Sequence, residues 1–483
     1  MTEASLLPLS AMLPAVAMSA GFVGGARFAE RLALLMPALG FLVALVIASA
    51  LLRGGEPIVY HLGAWAPPLG LALRADGLST ALLLTTTLIL ALVAVFARAE
   101  FGTAAGAPET RRKLMFWCLL LALWTAMACV MLSNDLFNLF VGLELLTFAA
   151  VPLAALDGKA ETLAAALRYL MFALLGSVLY LLGVALLYGS YGTLDIGLLR
   201  GLVRMDTPTI LAAALMTTGL IAKSALFPLH LWLPPAHAGA PAAASALLSA
   251  LVVKGSVYLL IRLWIFVMPP QAAGAAMQIL AGLGAAAILL GSLVALRQAR
   301  LKLLIAYSTI AQIGYLFFMF PLVLAGGSGA WLGGVLQAVS HAFAKASMFL
   351  GAGLIAKALG HDRIAGLGGV ARAMPVPLIA FGLAGLSLMG IPPSGGFTAK
   401  WLLLQSALET GQWWWAVVIL AGGLLTGGYV FRVLVAAMGS TETPVGAAGI
   451  GMQEKIVLLL ALISVAMGLL PLYSFGLVEV GRP

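Results

Sequence analysis

The stretch that decides the fold runs from Ile221 to Tyr258 and reads IAKSALFPLHLWLPPAHAGAPAAASALLSALVVKGSVY. It places two lysines, Lys223 and Lys254, inside two long apolar runs. Between the lysines, Pro228 removes a backbone donor, and the pair Pro234-Pro235 is expected to stop the helix. A charge at the centre of a bilayer costs roughly 2.5 to 17 kcal/mol, depending on the method, and a broken helix at that depth needs protein or water around it. The stretch therefore predicts an ion or proton pathway through a membrane protein.

The composition of the 483 residues favours a polytopic, all-α membrane protein. Hydrophobic residues make up 63% of the chain and charged residues only 9%, whereas a soluble domain carries about 25% charged residues. The net charge of +9 comes from basic residues spread singly among the predicted loops, which indicates membrane topology and not nucleic-acid binding. Cys118 and Cys129 lie in one apolar segment without metal-ligand spacing, so we expect neither a disulfide nor a metal site.

Apolar runs of roughly 18 to 25 residues predict fourteen membrane spans, and thirteen or fifteen would be an error of segmentation. The twelfth run is longer than one helix because a break lies inside it. The first run follows Glu3 and not a basic segment, so we expect no cleavable signal peptide. The approximate extents are 6–24, 32–52, 77–97, 114–133, 135–156, 163–188, 209–230, 241–267, 274–296, 301–324, 329–358, 375–408, 413–437 and 455–474.

The distribution of basic residues predicts the orientation. By the positive-inside rule the odd-numbered connections are cytoplasmic, so both termini face outward, in a plasma membrane of bacterial type. Residues 54–74 alternate apolar and polar side chains around a Pro-Pro turn and predict a small β-hairpin, and residues 191–199 predict a short interfacial helix. The even-numbered connections hold few basic residues, which are Arg53, Arg74, Arg200, Arg204 and Arg262.

A second proline break, GIPPSGG at Gly390–Gly396, interrupts the twelfth predicted span as the earlier prolines interrupt the seventh. Two broken helices five spans apart predict a five-helix unit that occurs twice with opposite topology, in spans four to eight and nine to thirteen. The predicted segments are 1–110 with three spans, 111–270 and 271–440 with one repeat each, and 441–483 with the last span. The alternative is that the prolines only mark helix ends.

Few ionisable residues lie within the predicted spans. Glu144 is the only acidic residue well inside one, and Lys223, Lys254 and Lys400 are the central basic residues. Burial and pairing shift a pKa in opposite directions, so groups balanced between them exchange protons near neutral pH. For Glu144 the alternative to proton exchange is a purely structural ion pair. For Lys400 the alternative is that it caps carbonyl groups left without donors at the helix break. The sequence is equally compatible with two roles for His230, as a proton relay or as a cap at the helix break.

Two polar stripes run along apolar helices. Gln337, His341 and Lys345 are four residues apart and share one helix face. This pattern favours a hydrogen-bonded water path, with a contact between helices as the alternative. A similar stripe on the tenth predicted span consists of Ser308, Gln312 and Tyr315.

Five segments resemble, in order and spacing, those of the antiporter-like subunit family. They are SNDLFNLFVGLELL at 133–146, the stretch quoted first, LKLLIAYSTIAQIGY at 301–315, HAFAKASMFLGAG at 341–353 and GIPPSGGFTAKW at 390–401. The family comprises the D subunit of Mrp-type Na⁺/H⁺ antiporters and the large membrane subunits of respiratory complex I and of membrane-bound hydrogenases. The resemblance covers about residues 75 to 435. It implies fourteen helices, an inverted five-helix repeat, a lateral hydrophilic axis, and a hetero-oligomeric complex with other membrane subunits that moves protons and monovalent cations.

The resemblance also implies roles by position. Glu144 would pair with Lys223 of the broken seventh helix, Lys254 would be the connecting lysine of the eighth, and Lys400 the terminal lysine of the broken twelfth. A lysine at this last position disfavours the complex I branch that has glutamate there. The chain ends soon after the last span, so we expect no long lateral helix.

DLFNLFV is closer to the D-type antiporter subunit of Mrp complexes, and GLELL is closer to the N-type subunit of complex I. We therefore expect a proton-translocating subunit of a multi-subunit Na⁺/H⁺ antiporter, with an N-type subunit of a redox complex as the alternative. No motif for quinone, nicotinamide or iron–sulfur binding is present, so we expect no cofactor and no enzyme activity of the chain alone.

Overall fold

The computed structural model describes residues 3–104, 106–204, 206–440 and 451–482. These residues form an all-helical membrane fold with one small hairpin. They fall into two compact units. The first is built from Met1–Ser224, Leu251–Met277 and Leu472–Pro483, and the second from Ala225–Ala250 and Gln278–Pro471.

The first unit begins with two apolar helices and a β-hairpin. The helices that carry the first candidate site follow them. Strands β1 (Ile58–His61) and β2 (Ala72–Ala75) pair antiparallel, which confirms the predicted hairpin. The carboxylates of Asp76 and Asp135 accept backbone N–H groups and cap the helices that follow them. The helices are α1 (Leu6–Gly24), α2 (Ala26–Gly54), α3 (Gly77–Phe101), α4 (Arg111–Leu132), α5 (Leu136–Ala154), α6 (Ala160–Tyr191), α7 (Ile196–Leu202) and α8 (Thr207–Ser224).

The second unit contains the remaining helices. Helix α10 begins in it and ends in the first unit, and helix α11 begins in the first unit and ends in the second. The helices are α9 (Leu233–Gly239), α10 (Ala242–Val267), α11 (Pro270–Arg297), α12 (Leu301–Leu316), α13 (Met319–Leu324), α14 (Ala330–Leu359), α15 (Pro375–Met389), α16 (Gly395–Glu409), α17 (Trp413–Met438) and α18 (Met452–Ala466).

The described residues contain 11 helices that are long and apolar enough to cross a membrane. The other three predicted spans fall on α8, on α15 with α16, and on α18. Helix α18 ends before Gly468 and Pro471, so the end predicted at 474 is wrong. The count of fourteen spans and the four predicted segments stay predictions. Residues 441–450, which connect the last two predicted spans, lie outside the described residues.

Two further expectations need correction. Pro234 and Pro235 do not stop a helix: α8 already ends at Ser224, and the prolines occupy the first turn of α9. A first turn tolerates proline because its N–H groups have no partner within the helix. The short helix predicted at 191–199 forms later, because Gly192 ends α6 in a left-handed conformation and Asp195 caps α7. The break at GIPPSGG is confirmed, between α15 and α16.

Helices α6 and α8 approach each other through Gly176 and Gly219. A Cβ built on Gly176 would lie 2.6 Å from the Gly219 carbonyl oxygen and 3.2 Å from Cγ of Lys223. Small residues of this kind let helix backbones approach closely in membranes. The glycine contact therefore sets how near Lys223 lies to α6.

Candidate functional site

The first unit brings together Glu144 of α5 and Lys223 of α8. Lys223 Nζ lies 2.9 Å from Glu144 Oε1, and the exposed fractions of the two side chains are 6% and 16%. Lys223 Nζ also donates to the hydroxyl of Thr147 at 3.0 Å. The hydroxyl of Ser177, on α6, donates to the same Glu144 oxygen. The pair is thus fixed by one hydroxyl on its acidic side and one on its basic side.

The ion pair adjoins a small cavity with a mixed lining. The cavity has a volume of about 10 Å³, close to the minimum that holds one water. Its polar lining is Thr147, Tyr169, Lys223 and Ser256. A single water there would find several hydrogen-bonding partners, which is what a proton path along this pair requires.

Lys254 lies on α10 and is 3% exposed. It lies two residues after a π-helical turn at Leu248–Val252, and π-helical turns occur frequently at functional sites. Val252 and Ser256, its neighbours at two residues on either side, both line the cavity beside Lys223. The predicted connecting lysine is therefore buried in the first unit, on the helix segment that borders this cavity.

The second unit holds Lys400 of α16, which is 5% exposed. Its Nζ donates to the Leu388 carbonyl at 2.5 Å, in the last turn of α15, and lies 3.9 Å from the centroid of the Tyr315 ring. The capping contact named as an alternative for Lys400 is present. Lys400 also lines an otherwise apolar cavity of about 510 Å³.

Gln312 joins the two polar stripes to each other and also binds the Leu388 carbonyl that Lys400 contacts. Its amide donates to Leu388 O at 3.0 Å, and its amide oxygen accepts from Gln337 at 3.1 Å. A weaker contact of 3.3 Å joins it to the Thr426 hydroxyl. At Gln337 the stripe therefore makes a direct contact between helices, which was the alternative to a water path.

Lys345 and Ser308 join the same two helices at a second point, two turns after Gln337 and one turn before Gln312. Lys345 Nζ donates to the Ser308 hydroxyl, and to the Ile305 carbonyl at 3.1 Å. His341, one turn before Lys345, is 1% exposed. His230 lies in the turn before α9, and its carbonyl, not its ring, accepts from Leu233 N at 3.1 Å. Its role as a relay stays a prediction.

A second buried ion pair was missed by the sequence reasoning. Arg262 was assigned to a loop, but it lies within α10 and binds Asp76 through two hydrogen bonds of 2.7 and 2.8 Å. It also donates to the Tyr258 hydroxyl. Burial alone would raise the pKa of Asp76, but the Arg262 guanidinium and the N–H of Ser79 hold it below its ordinary value. Arg262 therefore does not count as a loop charge for the positive-inside rule.

Two residues of the first site were also missed. Thr147 is three residues after Glu144, so helix spacing places both on one face, and this signal was available. Ser177 carries no such signal, because its contact with Glu144 depends on how α6 packs.

Comparisons with known proteins show what the chain as a whole is similar to. Residues 133–426 match the family described as NADH:quinone oxidoreductase/Mrp antiporter, transmembrane. The chain is 36% identical over 441 residues to the N subunit of the NADH-quinone oxidoreductase of Desulforudis audaxviator, covering 89% of this chain and 84% of that protein. It is 30% identical over 401 residues to the D subunit of the Na⁺/H⁺ antiporter of Alkalihalophilus pseudofirmus, covering 82% and 79%. A chain of the Mrp complex from Dietzia sp. superposes with a TM-score of 0.88 at 26% identity, covering 99% and 97%.

Proposed function

The chain belongs to the NADH:quinone oxidoreductase/Mrp antiporter transmembrane family, and from this membership we propose that it translocates protons as a membrane subunit of a multi-subunit Na⁺/H⁺ antiporter. The observation that carries the proposal is the ion pair of Glu144 with Lys223, buried beside a cavity of the size of one water. Lys254 and Lys400 are the further relay sites. The supporting residues are His230, Ser308, Gln312, Tyr315, Gln337, His341 and Lys345.

The ion pair can act as the switch of such a relay. At 2.9 Å and an effective dielectric constant of about 20, the attraction is worth about 6 kcal/mol. When Lys223 gives up its proton this attraction is lost, while Thr147 still offers the amine a hydrogen bond. The carboxylate of Glu144 is then free to favour a proton or cation at a neighbouring site. Each elementary charge that crosses the membrane field is worth about 2.3 kcal/mol per 100 mV, so one or two protons can drive an opposing cation.

Similarity to an N-type subunit supports a second candidate, a proton-pumping subunit of a redox complex. The relative with 36% identity is a subunit of that kind. In this case the chain would still carry the relay, and partner subunits would hold every redox group.

The decisive experiment is purification of the native complex from its own membrane, with a subunit inventory and an iron determination. Small membrane subunits without iron support the antiporter. Subunits with iron and flavin support the redox pump and rule the antiporter out.

The relay itself is tested in membrane vesicles that contain the whole complex. We expect Glu144→Ala, Lys223→Ala and Lys400→Ala to abolish proton transport while insertion stays normal. Lys357→Ala, at an exposed position of α14, is the matched control and should transport normally. Undiminished transport by Lys223→Ala would refute the relay.

The proposed orientation places both termini on the outer side of a bacterial-type plasma membrane. Single cysteines in the exposed connections, labelled in intact cells with a reagent that does not cross the membrane, test it. Labelling of a cysteine at Lys159 from outside would overturn the orientation, because that connection is predicted to be cytoplasmic.

A further inference from the structure

Two buried lysines of this chain have partners of different kinds. Lys223 has a carboxylate at 2.9 Å. For Lys400 the described residues provide no ion pair with a carboxylate; its Nζ contacts the Leu388 carbonyl and the face of the Tyr315 ring, 3.9 Å from the centroid. A cation is attracted by the negative face of an aromatic ring, and this attraction is largest where water is excluded.

Tyr315 is held in place by contacts that do not involve Lys400. Its side chain is completely buried, and among the described residues its hydroxyl has one hydrogen-bonding contact, a long one of 3.4 Å to the Ile419 carbonyl. Gly422 leaves the space that the hydroxyl end of the ring occupies, since a Cβ there would overlap the Tyr315 hydroxyl oxygen and lie 3.1 Å from the ring carbon Cζ. The Phe318 ring packs edge-on against it at 6.3 Å between centroids. The ring is thus fixed below the ammonium, and its hydroxyl contributes little.

We propose that Tyr315 is the electrostatic partner of the Lys400 ammonium, a positioning residue that holds this charge through the face of its ring. The inference rests on the proposed function, in which Lys400 is a relay site. It gives Lys400 a distinct property: a neutral ring and one carbonyl restrain the charge without forming an ion pair. Lys400 can therefore leave these two partners without separating opposite charges, which Lys223 cannot do.

The test uses fluorinated phenylalanines at position 315 of the full chain in its native complex. Fluorine weakens the negative face of the ring step by step and changes its shape little. We expect Tyr315→Phe to keep transport within about twofold of the wild type, because the ring face remains. Trifluorophenylalanine at 315, and Tyr315→Leu, should each lower transport at least about tenfold. Trifluorophenylalanine at Phe431, an exposed ring of α17 outside this site, is the matched control and should leave transport unchanged.

A second measurement is independent of transport. Acetic anhydride acetylates the neutral amine, so the acetylation rate of Lys400, read by mass spectrometry at a pH low enough that most of the amine is protonated, should rise at least about tenfold across the fluorine series at 315. A graded acetylation rate in a complex that transports no protons would leave this inference standing and refute the proposed function. An acetylation rate that does not depend on fluorine, or loss of transport in Tyr315→Phe, would overturn the inference.

Discussion

A close contact between α6 and α8 gives a sharp test of the Glu144–Lys223 pair. In Gly176→Ala the new methyl group would lie 2.6 Å from the Gly219 carbonyl oxygen and 3.2 Å from Cγ of Lys223. Both partners are parts of α8, so the two helices must separate. Neither ionisable residue is itself replaced, which keeps the chemistry of the pair intact while its geometry changes.

The expected size of the effect follows from the distances. Relief of the contact from 2.6 Å to an ordinary 3.4 Å moves α8 by about 0.8 Å, a shift typical of an overpacked interior. If the ion pair lengthens equally, from 2.9 Å to about 3.7 Å, its hydrogen bond is lost. Its attraction falls from about 5.7 to about 4.5 kcal/mol at an effective dielectric constant of about 20. A difference of about 1.2 kcal/mol corresponds to a roughly eightfold change in rate.

The assay is cation-driven proton transport in vesicles, normalised to the amount of inserted protein. Gly189→Ala, also on α6, is the matched control, because nothing lies within 4 Å of a Cβ at that position. We expect this control to transport normally per inserted molecule. Transport by Gly176→Ala within twofold of the wild type would refute the view that the length of this ion pair controls the rate.

Three further predictions follow from contacts described above. Thr147→Val removes one hydrogen bond from the Lys223 ammonium, worth about 1.5 to 3 kcal/mol, and should slow transport at least about tenfold without lowering insertion. Asp76→Asn leaves the buried Arg262 without its counter-charge and should lower the free energy of unfolding by about 3 to 5 kcal/mol at pH 7, measured as thermal stability in detergent. Lys254→Ala should lower transport but not abolish it, and complete loss would make Lys254 the entry site.

Each of the first two has a control. Thr125→Val removes a hydroxyl that bonds only the carbonyl one turn back on its own helix, so it should leave transport unchanged. Arg53→Gln breaks an exposed ion pair with Glu3 and should cost less than about 1 kcal/mol. The pKa of Asp76 is lowered by folding, so its contribution to stability is present above pH about 4 and is lost as the pH falls through its folded value. The deficit of Asp76→Asn should shrink accordingly in acid, and a deficit independent of pH would contradict the assignment.

The sequence allowed much of the fold to be predicted, because membrane helices can be recognised by the length and the hydropathy of their apolar runs. The breaks at Pro228 and GIPPSGG were found for the same reason, since prolines and glycines interrupt otherwise continuous apolar runs. The exact end of α8 was not predicted. Proline is also compatible with the first turn of a helix, and Pro234-Pro235 lies in the first turn of α9.

The candidate site was predictable to the extent that charge in an apolar run is costly. That cost picked out Glu144 and Lys223 singly; the family resemblance implied that they pair, and they form an ion pair. Ser177 and the pairing of Asp76 with Arg262 were not found, because both contacts join segments far apart in the chain and depend on packing. Arg262 lies five residues inside the predicted span 241–267 and is followed by LWIFVM, so its assignment to a connection was an error that the sequence itself could have exposed.

The Leu388 carbonyl accepts from two donors, the Lys400 ammonium and the Gln312 amide. A helix that stops inside the membrane leaves carbonyl groups without hydrogen-bond donors, which is energetically costly there. Because the amide is neutral and keeps its proton, it can go on satisfying Leu388 when the lysine turns away. The interrupted helix is thereby insulated from the charge state of the residue beside it, so that the lysine can work repeatedly without loosening the scaffold that carries it.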